Sequence, residues 1–398
     1  MFGIPIEFIL FGATLLGVAI FHHRTFTVAV SGLAAILTYK FFFSSFADGT
    51  GLPGLASHLD HHWIEITNLG LLLLGFALLS RHFEESKLPD LAPEMLPNNW
   101  TGGLVLLALV FVMSAFLDNI AGALIGATIA AHVYKKRVHI GFLAAIVAAS
   151  NAGGAGSVVG DTTTTMMWIA GKSPLDVLHA YVGAIAAFAV FAIPAARLQQ
   201  HYCKILKEGV GGIVVDWARV GIVVFMLVTA IGANVVANIA APELLHVIPV
   251  IGMALWGALL VAWPLRAPDW KVMPETIKGA AFLLSLVLAA SLMPVERLPA
   301  PSWESAFSLG FISAVFDNIP LTALALQQGN YDWGVLAYTV GFGGSMMWFG
   351  SSAGVAVSNM FPEAKSVMLW LRAAWFVPAA YIVGFFVMLG IMGWHPQP

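Results

Sequence analysis

The sequence predicts an all-α polytopic membrane protein built from two inverted-topology repeats, each holding three spans, a re-entrant hairpin, a broken helix and a further span. Three observations lead there. First, 59% of the 398 residues are apolar and 10% are charged, with a mean hydropathy of +0.87. A soluble domain is roughly 45–50% apolar and roughly 25% charged, so too little polar surface is left to meet water. Second, Ser114-Ala115-Phe116-Leu117-Asp118-Asn119-Ile120-Ala121 reads against Ser313-Ala314-Val315-Phe316-Asp317-Asn318-Ile319-Pro320 half a chain length later. Third, Lys and Arg fall at alternate gaps between apolar runs.

The elements follow in order. Runs of about 18 to 25 apolar residues are candidates for single spans, and they occur at 4–21, 26–47, 63–80, 176–196, 216–240, 246–264, 277–293 and 366–393. The first has no positive residue before it and no small-residue cleavage pattern after it, which reads as a retained span rather than a secretory signal. Glu7 and Lys40, in or near the first two spans, read as side chains snorkelling to the interface. His58, His61 and His62, with Asp60, resemble a metal-binding cluster but read as a solvated outer loop.

Two stretches, about 103–134 and 303–328, are too long for one unkinked crossing and too short for two. Each carries an Asp-Asn pair near its middle, as a hairpin with its tip at that pair would. Two more, about 138–170 and 333–360, are interrupted by glycine and hydroxyl residues, as crossing helices with an unwound centre would be. With the hairpins non-crossing and both termini outside, every Lys and Arg except Lys40, Lys172 and Arg297 lies on the cytoplasmic side. The first repeat then covers 1–198, a cytoplasmic linker 199–215, and the second repeat 216–398. Because the two start on opposite faces, they are inverted, and in such folds the site lies near the midplane among discontinuous helices.

Asp118, Asp161 and Asp317 lie within apolar surroundings, where an ionised carboxylate must be paired, solvated or protonated. The plainer reading makes each an N-cap. The first break contains Ser150, Asn151, Gly153, Gly154, Gly156, Ser157, Gly160, Asp161, Thr162 and Thr163. It thus joins a loosened backbone to the oxygen ligands that hard cations such as sodium select. The second contains Gly343, Gly344, Ser351 and Ser352, with hydroxyls but no acid. Asn119 and Asn318 complete the candidate ion-binding and proton-coupling set. The glycines serve as hinge and backbone-carbonyl positions, and sodium is expected at Asp118, Asp161 and Asp317.

Several function classes fall away. A net charge of −3 offers no basic patch for nucleic acid. Cys203 alone forms no internal disulfide and no cysteine-based metal site. Gly350 to Gly354 spells G-x-S-x-G, but no strand precedes it. Neither H-E-x-x-H nor a Walker motif occurs. No enzyme activity and no cofactor is expected; the remaining alternatives are a cation exchanger and a sodium-coupled carrier of a small anion such as a carboxylate, bicarbonate or an oxyanion.

The strings Phe116 to Ile120, Ser150 to Thr165, Phe316 to Pro320, Gly343-Gly344-Ser345 and Gly350 to Val357 resemble the NhaD-type sodium/proton antiporters. Those belong to the ion transporter superfamily, with the citrate, dicarboxylate and arsenite carriers. The likeness covers both repeat cores, roughly Thr101 to Ser173 and Trp303 onward. It implies a homodimer in the inner membrane in which a scaffold holds an elevator-type transport domain, with sodium or lithium and protons as substrates. Where the dicarboxylate carriers place Ser-Asn-Thr at the tips, this chain has Asp118-Asn119-Ile120 and Asp317-Asn318-Ile319, which favours a cation. In the first break the family's Ser-Pro-Ile-Gly-Asp is replaced by Ser157-Val158-Val159-Gly160-Asp161.

Overall fold

In an apolar medium each backbone N–H and C=O needs a partner within its own segment, and the apolar runs accordingly fold as helices. The computed structural model describes residues 4–21, 24–46, 49–205, 212–241, 243–244 and 247–397. Its helices are α1 (Ile6–Ile20), α2 (Thr25–Phe43), α3 (Gly51–Glu85), α4 (Ala92–Met95), α5 (Trp100–Ser114), α6 (Asn119–Val133), α7 (Ile140–Ala155), α8 (Thr162–Ile169), α9 (Pro174–Leu178) and α10 (Ala180–Tyr202). Beyond these come α11 (Trp217–Ala240), α12 (Val250–Ala262), α13 (Met273–Ser291), α14 (Trp303–Ser313), α15 (Asn318–Gln328), α16 (Trp333–Gly343), α17 (Ser352–Met360), α18 (Val367–Ala373) and α19 (Phe376–Met392). Among the described residues five helical segments are long and apolar enough to cross a membrane, or six with α18 and α19 counted as one bent span. This is a polytopic, all-helical membrane protein. Of the expected linker 199–215, residues 206–211, Lys207 among them, lie outside the described residues, as does His246 at the expected start of the sixth run.

The chain forms two compact units, each assembled from separated segments. The first comprises Met1–His82, Ala218–Pro299 and Ala323–Gln328. In it α2 packs against α1 and α13. Asn68 of α3 accepts the Gly252 N–H at 2.7 Å, and Trp256 Nε1 donates to the Leu71 carbonyl at 2.9 Å, which ties α3 to α12.

Three expectations change here. The histidines expected in an outer loop lie on α3, a 35-residue helix that begins at Gly51. After Pro53, which its first turn tolerates, and Gly54, no proline interrupts it. His58 is buried with Nε2 2.9 Å from Ser291 Oγ. Glu7 and Lys40 do not snorkel outward: each is 7% exposed, and Glu7 accepts the Ser44 hydroxyl at 2.8 Å. The last expected span is not one helix, since α18 and α19 meet at 61°. Pro378 explains the bend, because it lacks the N–H that would bond the Ala374 carbonyl and its ring crowds that carbonyl.

The second unit comprises Phe83–Trp217, Ala300–Thr322 and Gly329–Pro398. Its centre is α7 with α16. Every residue from Gly141 to Ala155 and from Trp333 to Gly343 is buried, as expected of helices that are apolar all round. Around them pack α5, α6, α10, α14, α17 and α19. Alanine and glycine on α7 allow this close approach. Both central helices stop abruptly, α7 at Ala155 and α16 at Gly343, and the chain resumes as the short helices α8 and α17.

Candidate functional site

Four helix starts converge on the site, each with a polar N-cap. Asp118 Oδ2 accepts the Ile120 N–H at 3.3 Å and caps α6; Asp317 Oδ1 accepts the Ile319 N–H at 3.1 Å and caps α15. Asp161 caps α8 through the Thr163 N–H at 3.4 Å, and Ser351 caps α17 through the Gly354 N–H at 3.2 Å. A carboxylate at a helix N-terminus also meets the positive end of the helix dipole, worth about 0.3–1 kcal/mol.

The two Asp-Asn pairs divide their work. Each aspartate caps its own helix, with Asp317 also held by Ser352 of α17, while the following asparagine reaches across to Asp161. Asn119 Nδ2 donates to Asp161 Oδ1 at 3.3 Å, and Asn318 Nδ2 donates to Asp161 Oδ2 at 3.3 Å. Thr163 Oγ1 adds a third side-chain donor at 2.8 Å. Asp161 is 2% exposed. Among the described residues its partners are all neutral donors, and no cation pairs with it.

A second layer surrounds this carboxylate. Asn119 Nδ2 also donates to Asn151 Oδ1 at 3.1 Å, and Asn151 Nδ2 donates to Ser345 Oγ at 3.0 Å and Ser351 Oγ at 3.1 Å. Ser150 bonds to the Asn119 carbonyl and to Ser114 Oγ, the latter at 2.8 Å. Ser352 Oγ donates to Asp317 Oδ2 at 3.2 Å. Asn119, Thr163 and Asn318 therefore bond to Asp161 directly, and Asn151 and Ser351 are linked to it through Asn119, with Ser150 behind them. Ser157 instead holds its own turn, accepting the Val159 N–H at 3.4 Å; Thr162 reaches Asp161 through its backbone N–H.

The break carbonyls are partly satisfied from within. Thr164 Oγ1 donates to the Asp161 carbonyl at 2.8 Å, and Thr165 Oγ1 donates to the Val158 carbonyl at 2.9 Å. Gly153, Gly154, Gly156 and Gly160 are buried beside them, and Gly343 and Gly344 are buried at the other break. Ser114 and Ser345 were not among the expected site residues. Their signal was in the sequence, since Ser114 opens the duplicated string and Ser345 follows the Gly343-Gly344 pair.

Among the described residues no group of three or more His, Cys, Asp or Glu side chains is placed to hold a metal ion. The centre instead offers one carboxylate with amide and hydroxyl oxygens around it. Such a set suits a weakly held hard cation, in keeping with oxygen ligation. A buried carboxylate without a fixed counter-charge is costly to leave ionised, by several kcal/mol.

The chain has relatives along most of its length. It is 25% identical to sodium/proton antiporter 1 of Arabidopsis thaliana, over 85% of this chain and 64% of that protein. It is 26% identical to the Na(+)/H(+) antiporter NhaD of Vibrio parahaemolyticus, over 75% of this chain and 84% of the relative. The NhaD of Alkalimonas amylolytica is also 26% identical, over 84% of this chain and 78% of the relative. The match thus spans just under two thirds of the plant protein. No protein-family model matches the chain.

Proposed function

From a chain that is homologous to the NhaD-type sodium/proton antiporters, we propose a secondary active transporter, not an enzyme, that exchanges sodium or lithium for protons. The observation that carries this reading is the Asp161 carboxylate, buried and ringed by Asn119, Asn318 and Thr163. With only neutral donors around it, its charge is balanced either by a proton or by a transported cation. The two then compete for one group, which gives exchange without a separate coupling device.

In this proposal Asn151 Oδ1 and the hydroxyls of Ser345, Ser351 and Thr163 supply further oxygens to the cation. Asp118 and Asp317 flank the centre as caps that also add negative potential. Half-helices facing a site from inverted repeats are the arrangement expected of transporters near the bilayer midplane. The helix pairs α5/α6 and α14/α15 act as re-entrant hairpins, and α7/α8 and α16/α17 as broken spans. Support for an elevator motion comes from the division into two units, since both helix breaks and both tip pairs fall in the second. A homodimer and a location in the inner membrane follow from the family likeness, and the placement of both termini outside rests on the Lys and Arg distribution. A carrier of small anions would seat its substrate on the half-helix N-termini, where the Asp161 carboxylate already lies. Among the described residues neither Lys nor Arg bonds to it.

The test is reconstitution of the purified protein in liposomes with an internal pH dye under an imposed proton gradient. Addition of sodium or lithium should dissipate the gradient. A response to neither cation, together with sodium uptake that depends on an added carboxylate or oxyanion, would replace this proposal with the anion carrier.

A further inference from the structure

The first unit holds a cavity of about 880 Å³ where the start of α1, the ends of α2 and α13 and the early turns of α3 come together. That size is ample for a small-molecule site. Four charged side chains line it, two of each sign: Glu7, Lys40, Glu296 and Arg297. Among the described residues no ion pair joins any two of them. Lys40 is close enough to Glu7 and Glu296 to feel their charge without pairing with either, and its ammonium stands 5.8 Å from the centroid of the Phe46 ring. Lys40 and Glu7 are both more than nine-tenths buried, and removing such ions from water costs several kcal/mol each when nothing compensates. The histidines on the same wall do not supply a metal centre among the described residues.

The depth of the cavity narrows the choice of ligand. α2 and α13 belong to two of the span-length apolar segments, so their ends lie at the level of lipid headgroups. Phe42 and Phe43, at the end of α2, are exposed, as are Ile4 and Ile6 on the cavity rim. They offer an apolar surface next to a polar hole. We propose that this cavity binds the headgroup of a zwitterionic phospholipid of the phosphoethanolamine class. Lys40 and Arg297 hold the phosphate, and Glu7 and Glu296 hold the primary ammonium. One ligand of balanced charge thereby satisfies both pairs, which a purely anionic or cationic lipid cannot do.

Native mass spectrometry of the full-length purified protein tests this with phosphatidylethanolamine, phosphatidylcholine and phosphatidylglycerol of identical chains. Phosphatidylethanolamine should be retained at about 10-fold lower concentration than the others. Phosphatidylcholine lacks ammonium N–H donors and phosphatidylglycerol lacks the cation. Lys40→Met and Glu7→Gln should each remove the preference. Arg297→Gln and Glu296→Gln, at exposed positions, keep the test decisive should the buried variants fail to fold. Equal retention of phosphatidylglycerol and phosphatidylethanolamine, or an unchanged preference in Arg297→Gln and Glu296→Gln, overturns the proposal. Competition by free glycerophosphoethanolamine as effective as that by the lipid would overturn the lipid as the source.

Discussion

Asn318 donates its side-chain amide to Asp161 Oδ2 at 3.3 Å, joining residues 157 positions apart in sequence. Asn119 makes the matching bond to Oδ1. One carboxylate therefore senses both Asp-Asn tips, and any movement of either tip alters what holds the charge. Under the proposed exchange, filling or emptying the site would be coupled to the position of α6 and α15.

Asp161→Asn should keep the fold, because an amide oxygen still accepts from Thr163, but should remove exchange. Asp317→Asn should also lower it, by at least about 10-fold, equivalent to about 1.4 kcal/mol. Dye-reported exchange in liposomes checks both. Full activity in either variant contradicts the role given to that residue.

Asn119→Ala and Asn318→Ala each delete a donor to a buried carboxylate. Hydrogen bonds to charged groups are worth about 1.5–3 kcal/mol, so each variant should unfold at lower temperature. Combined with Asp161→Asn, the losses should be less than additive, since the residues share one network. Additive melting shifts would show that these contacts carry no coupling.

Two glycines sit where a side chain has no room. A Cβ on Gly343 would stand 2.7 Å from Gly310 Cα, and one on Gly153 would stand 2.8 Å from the Phe111 carbonyl carbon. Both contacts are with backbone, which cannot rotate away. Gly343→Ala and Gly153→Ala should each destabilise by about 1–3 kcal/mol, the usual range for overpacking. Wild-type melting curves for both would mean that the helices can separate at that level.

His139, at the start of α7, accepts the Gly141 N–H at 3.0 Å through Nδ1, which requires the neutral ring. Burial holds its pKa below the usual histidine value. The neutral form is thus favoured by folding. Its contribution is fully present above about pH 6.5 and is lost as pH falls from there through the lower folded value. The melting temperature should drop over that window. His139→Asn, which keeps a capping oxygen, should flatten this part of the profile, and an identical profile in the variant would exclude His139 as its source.

Much of the fold was legible because apolar length and polar interruption are strong signals. The Asp-Asn pairs stood out since polar side chains inside apolar runs need partners. What stayed hidden was the direction of each side chain. Composition draws attention to the aspartates, yet their own helix amides hold them, and the neighbouring asparagines cross to Asp161. Likewise α3 runs through His58, His61 and His62 because those residues fit a helix as readily as a loop, and only packing against Ser291 decides for His58. The bend before α19 did have a signal, Pro378, but its effect falls four residues earlier, on a carbonyl that hydropathy does not register.

Whether proton and cation share Asp161 is decided by counting protons released when sodium is added to purified, unbuffered protein, across a range of pH. Wild-type protein should release protons on binding sodium, with apparent affinity rising as pH rises, and Asp161→Asn should release none. Sodium binding without proton release in the wild type, or undiminished release in Asp161→Asn, would show that the two ions do not compete for this carboxylate.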